Sequence, residues 1–154
     1  MKRYTDLVAE CLAGVTELFP WDLADRLAQP NPPLLVDIRE PYEYAAMHIA
    51  GSINVPRGII ESACEWDYEE TVPALVEARQ QELILICRSG NRSVLAASTL
   101  QRMGYQQVKS LKTGIRGWND FEQPLINSAG EPVDIDDADA YFTTRLRPEQ
   151  HRPT

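Results

Sequence analysis

The stretch Leu83-Ile84-Leu85-Ile86-Cys87-Arg88-Ser89-Gly90-Asn91-Arg92-Ser93 is an apolar run that ends at a cysteine and turns at once into a basic, glycine-containing loop. Four consecutive apolar residues suit a strand buried on both faces, the kind found in parallel sheets covered by helices. From Asn91 to Met103 the apolar residues Val94, Leu95, Ala97, Leu100 and Met103 recur at helical spacing, and Gly104 stands where a left-handed cap closes a helix. The predicted order is therefore strand, short loop, helix. In that geometry the amides of Ser89 to Ser93 are the unpaired first donors of the helix, free to converge on the loop's concavity. A cysteine sulfur there lies in positive potential from helix N-terminus and arginines, which favours its thiolate.

Working outward, Leu34-Leu35-Val36-Asp37-Ile38 gives a second buried strand, Val15 to Leu18 a short one and Val108 to Leu111 another. Helical segments separate them: residues 5 to 13 with Thr5 as cap, a helix opened by Pro20, a proline-opened helix at Pro41, and Thr71 to Gln80. Strands alternating with helices predict an α/β layer fold. Residues 57 to 70 read as a long acidic connection, and Asp134, Asp136, Asp137 and Asp139 as a solvated acidic linker, since the glycine and closing glutamate of a calcium loop are missing. No metal or other cofactor is expected. Tyr141 and Phe142 are positioned to dock the tail onto the domain.

The chain has 154 residues, 44% hydrophobic and 25% charged, within the range of one domain with a sizeable core. Fifteen Lys and Arg against 23 Asp and Glu give a formal charge of -8, which opposes binding to nucleic acid. On so acidic a body Arg57, Arg88, Arg92 and Arg116 can focus a small anion. Three cysteines, Cys11, Cys64 and Cys87, are too few and odd in number for a disulfide framework, and Asp6 and Glu10 interrupt the opening stretch before it could serve as a signal peptide. No run approaches membrane length. A cytoplasmic location is expected. Cys11, on an apolar helix face, is read as core; Cys64 is a candidate second thiol beside a persulfide.

Three motifs carry a resemblance. Asp37-Ile38-Arg39, then Glu43-Tyr44, then His48-Ile49-Ala50-Gly51-Ser52 ending at Pro56 is similar to the first signature of the rhodanese-like sulfurtransferases, with Met47 where that family usually has glycine. The loop after Cys87 and the segment Lys112-Thr113-Gly114-Ile115-Arg116-Gly117-Trp118, with Thr113 in place of a first glycine, resemble the family's active loop and closing signature. The resemblance spans roughly residues 15 to 121. It implies a doubly wound, mostly parallel five-stranded sheet with helices on both faces, an N-terminal helical extension over 1–14, a rhodanese-like domain over 15–122 and a partly irregular C-terminal extension over 123–154.

The chemistry it implies is sulfane-sulfur transfer by double displacement: Cys87 takes sulfur from thiosulfate or a persulfide donor as a persulfide and yields it to a thiophilic acceptor. Arg88, Ser89, Gly90, Asn91, Arg92 and Ser93 are the expected substrate-binding residues, with Arg57 a further candidate. Asp37, Arg39, His48 and Trp118 are read as structural. The alternative is a relay module that exchanges sulfur with protein thiols. Phosphatase or arsenate reductase chemistry is disfavoured because only Arg88, Ser89, Gly90 and Asn91 separate Cys87 from Arg92; the related phosphatases use one residue more, and the shorter ring of amides suits a sulfur atom.

Overall fold

The computed structural model describes residues 1–154. Five strands, β1 (Thr16–Leu18), β2 (Leu34–Asp37), β3 (Ile53–Asn54), β4 (Glu82–Ile86) and β5 (Gln107–Leu111), form one sheet in the order β1-β5-β4-β2-β3. Every pairing is parallel. β4 is central: Asp37 pairs with Ile86 on one side and Ser110 with Leu85 on the other. Ligands of open parallel sheets bind beyond the carboxyl ends of the strands, and that is where Cys87 follows β4.

The apolar run of β4 is divided between two cores. Leu83, Leu85 and Cys87 face a cluster with Val36, Ile38, Val94, Ala97 and Leu100, while Ile84 and Ile86 face one with Leu23, Leu35, Ile115, Trp118 and Phe142. Side chains alternate across a strand, so an unbroken apolar run is what a strand covered on both faces requires. α1 (Tyr4–Leu12), α4 (Ile60–Ala63), α5 (Pro73–Val76) and α6 (Arg92–Arg102) contribute to the first cluster; α2 (Pro20–Leu27), α7 (Gly114–Asp120) and α8 (Ile135–Phe142) contribute to the second. α3 (Pro41–Ala46) leads into the turn before β3.

Four local expectations need correction. α1 starts two residues earlier than a Thr5 cap requires, because the Asp6 carboxylate accepts from the Arg3 amide at 2.8 Å and closes the first turn. The helix expected over Thr71 to Gln80 is a single turn, Pro73–Val76; Arg79 folds back to donate to the Val76 carbonyl and the Tyr105 hydroxyl. The long acidic connection expected over residues 57 to 70 contains α4 and buries Ile60, Ala63 and Cys64. The acidic segment is not a linker either: Asp134 caps α8 by accepting from the Asp136 amide, and Ala138 and Phe142 are buried beneath it. No helix is long and apolar enough to cross a membrane.

Asp37 and Arg39 form an ion pair with neither side chain exposed. Arg39 Nη2 donates to Asp37 Oδ2 at 2.8 Å and to the Met47 carbonyl at 2.7 Å, and Nε donates to Asp37 Oδ1 at 3.0 Å. The pair ties the end of β2 to the segment after α3. His48 is similarly structural: its ring stacks on Tyr44 at 3.8 Å, Nδ1 lies 2.8 Å from the Tyr44 carbonyl, and its backbone exchanges hydrogen bonds with Ile126. Replacing Asp37 by Asn strands the Arg39 charge in the interior and is expected to cost about 3–5 kcal/mol, measured by urea unfolding. A loss under about 1 kcal/mol would show that the pair does not hold this corner.

Candidate active site

Cys87 leaves β4 and the chain turns through Arg88, Ser89, Gly90 and Asn91 into α6. Its sulfur accepts from the Gly90 amide at 3.0 Å and the Ser93 amide at 3.4 Å, and lies 3.2 Å from Ser93 Oγ. Ser93 Oγ is in turn 2.7 Å from Ser110 Oγ on β5, both serines being wholly buried. The hydroxyl pair braces the cradle from beneath.

The loop's carbonyls are held from the other side. α7 begins at Gly114, and the amides of Ile115 and Arg116 donate to the carbonyls of Cys87 at 2.9 Å and Arg88 at 3.0 Å. These bonds pin the first two peptide groups of the loop, ahead of the Gly90 and Ser93 amides that reach the sulfur. This approach requires glycine at 114, where φ is +63° and a Cβ would sit 2.5 Å from the Arg88 carbonyl group. Gly90, at φ +90°, is under a similar restriction, since a Cβ would meet the Thr113 amide at 2.9 Å.

Of the expected binding residues, Cys87, Arg88, Ser89, Asn91 and Arg92 line one cavity of about 210 Å³, and Tyr4 of α1 lines it with them. Gly90 and Ser93 meet the sulfur through their amides. Arg57 is not brought to this cavity: its guanidinium donates to Glu61 Oε1 at 3.2 Å and Thr99 Oγ1 at 3.5 Å. The two loop arginines are differently engaged. Arg92 donates from both Nη atoms to the Glu43 carboxylate at 3.2 Å, so its charge is balanced. Arg88 donates to the Phe142 carbonyl at 2.7 Å and lies 3.4 Å from Thr144 Oγ1, neutral acceptors that leave its charge to the cavity. Arg116 also reaches Thr144, at 3.5 Å. Cys64 is fully buried, and burial pushes its thiol up, the properties of an inert core cysteine.

A family model for the rhodanese-like domain matches residues 20–121. The chain belongs to the rhodanese-like family. A sulfurtransferase of Allochromatium vinosum is 31% identical over 116 residues, covering 75% of this chain and 99% of its own. YrkF of Bacillus subtilis, provisionally named a sulfur carrier protein, is 32% identical over 84 residues, and the match spans only 40% of its length. Among solved structures, human single-domain sulfurtransferase TSTD1 shares 27% identity and superposes with a TM-score of 0.59, over 70% of this chain and 97% of that one. A protein of unknown function from Rhodopseudomonas palustris, described as a possible tyrosine phosphatase, shares 27% identity with a TM-score of 0.72, over 80% of this chain and 94% of that one. Within the rhodanese-like frame, Glu43 of the first signature is the residue that holds Arg92 of the loop.

Burial alone would raise the Glu43 carboxyl, but hydrogen bonds from Arg92 and from the Glu40 amide, with the charges of Arg92 and Arg39, bring it below the ordinary carboxylate value. A carboxyl depressed in the folded state adds stability that is present above the unfolded value and lost as pH falls through the folded one. Wild type is therefore expected to exceed Glu43→Gln by about 1–3 kcal/mol at neutral pH, the difference fading as pH falls through and below the ordinary carboxylate range. Denaturant midpoints of both proteins across that range check it; a difference independent of pH would contradict the pairing.

Proposed function

We propose that this protein is a sulfurtransferase that moves sulfane sulfur from thiosulfate or a persulfide donor, through a persulfide on Cys87, to a thiophilic acceptor such as cyanide in the test tube or a thiol in the cell. The observation that carries this reading is the sulfur of Cys87 in hydrogen-bond reach of the Gly90 and Ser93 amides at the rim of a small cavity. With thiosulfate, Sγ attacks the outer sulfur; the new S–S bond forms as the bond to the sulfonate breaks, and the electron pair leaves with sulfite. A nucleophile then attacks the outer sulfur of the persulfide, and the cysteine thiolate leaves. Charge balances in both steps without an oxidant.

The cradle contributes twice. Preorganised amides stabilise the negative sulfur before the first step, and after it the persulfide, at no reorganisation cost. Arg88, with its charge unbalanced by any carboxylate, is the contact for the donor's anionic end. The balanced charge of Arg92 lends weight to a second reading, a relay in which the donor is a protein persulfide carrying little charge. The names of the Allochromatium and Bacillus relatives support sulfur handling in both forms. Three unpaired cysteines fit a reducing compartment, and we place the protein in the cytoplasm.

Cys87→Ser is expected to abolish transfer from thiosulfate to cyanide and the persulfide adduct of about 32 Da seen by mass spectrometry of the loaded protein. High turnover with thiosulfate favours the enzyme, whereas a stable adduct with negligible turnover favours the relay. Retained transfer by Cys87→Ser, or hydrolysis of an aryl phosphate without any adduct, would overturn the proposal.

A further inference from the structure

One wall of the cavity lies outside the family region. The rhodanese-like match begins at residue 20, yet Tyr4 lines the space shared by Cys87, Arg88, Ser89, Asn91 and Arg92. Its placement follows from how α1 packs. Val8 is buried in the core cluster that contains Cys87, Val94 and Ala97, and Tyr4 lies one turn earlier on the same face. The far end of α1 is held to the far end of α6, because Gln101 Nε2 donates to the Gly14 carbonyl at 2.8 Å. The two helices thus run alongside in the same direction, and the start of α1 comes level with the start of α6, where the loop ends. On the opposite side Arg88 is steadied by Phe142 and Thr144. Both terminal extensions therefore bound the site.

We propose, resting on the sulfur-transfer reading, that Tyr4 determines donor specificity: its ring roofs the cavity so that only small anionic sulfane-sulfur donors reach Cys87, and its hydroxyl donates to the bound anion. The cavity is small, about 210 Å³, and Tyr4 is one of the six residues that bound it. The phenol stays protonated at neutral pH. Burial raises it first and the negative Cys87 raises it further, against a lowering by Arg92. It is thus a neutral donor beside Arg88, complementing that charge without adding to it.

The test uses the full chain and two probes, thiosulfate and glutathione persulfide, with cyanide as acceptor. Tyr4→Ala is expected to raise kcat/KM for glutathione persulfide relative to thiosulfate about tenfold by opening the roof. Tyr4→Phe keeps the ring, so discrimination between the probes is retained, while KM for thiosulfate rises about fivefold with kcat nearly unchanged. Wild-type ratios and KM values in both variants would overturn the inference. Should Tyr4→Ala fail to fold, the KM of Tyr4→Phe decides alone, an unchanged value overturning it. These outcomes leave the parent reading standing, provided wild type transfers sulfur and Cys87→Ser does not; absence of transfer by wild type removes both.

Discussion

The site depends on a backbone contact that involves no functional side chain. Amides at the start of α7 bind the carbonyls of Cys87 and Arg88, and this fixes the first two peptide groups of the loop. With those first peptide groups pinned, the chain turns so that the Gly90 and Ser93 amides of later ones reach the sulfur. The approach is too close for any side chain at position 114, so a single absent methyl group in one signature shapes the start of the loop that follows a cysteine in another.

The remaining parts of the fold hold that arrangement in register. Parallel pairing of β2, β4 and β5 brings their carboxyl ends to one edge, and the buried Asp37–Arg39 pair locks the segment that carries Glu43. Glu43 then orients Arg92, while Ser110 reaches from β5 through Ser93 to the sulfur. The cost of burying these polar groups is offset because nearly every donor and acceptor among them is paired. On the proposed reading a thiolate held this way needs no general base, and His48 is bound to Tyr44 instead of to the thiol.

What was legible in the sequence were features whose physics is local. The apolar run of β4, the helical spacing after Asn91 and the basic loop between them placed Cys87 at a strand end, and the family and the five-stranded parallel sheet follow the expectation. β3, only two residues long, carries no periodicity to read. α8 was hidden by its acidic surface, because Ala138 and Phe142 alone face inward. Tyr4 and the partners of Arg88 and Arg92 were missed for a different reason: each depends on which distant segment the fold lays beside the loop. The four-residue spacing of Tyr4 and Val8 was the available signal, and it pointed to a shared face without saying what that face would meet.

The central claim is that the Gly90 and Ser93 amides hold the charge on Cys87 before and after it takes up sulfur. Amide proton shifts of nitrogen-15-labelled protein, recorded before and after loading with thiosulfate, test it most directly. The account predicts that the Gly90 and Ser93 resonances move on loading while those of β2 stay in place, and that Cys87→Ser shows no such change. Unmoved Gly90 and Ser93 amides in a protein that mass spectrometry shows to carry the persulfide would contradict it.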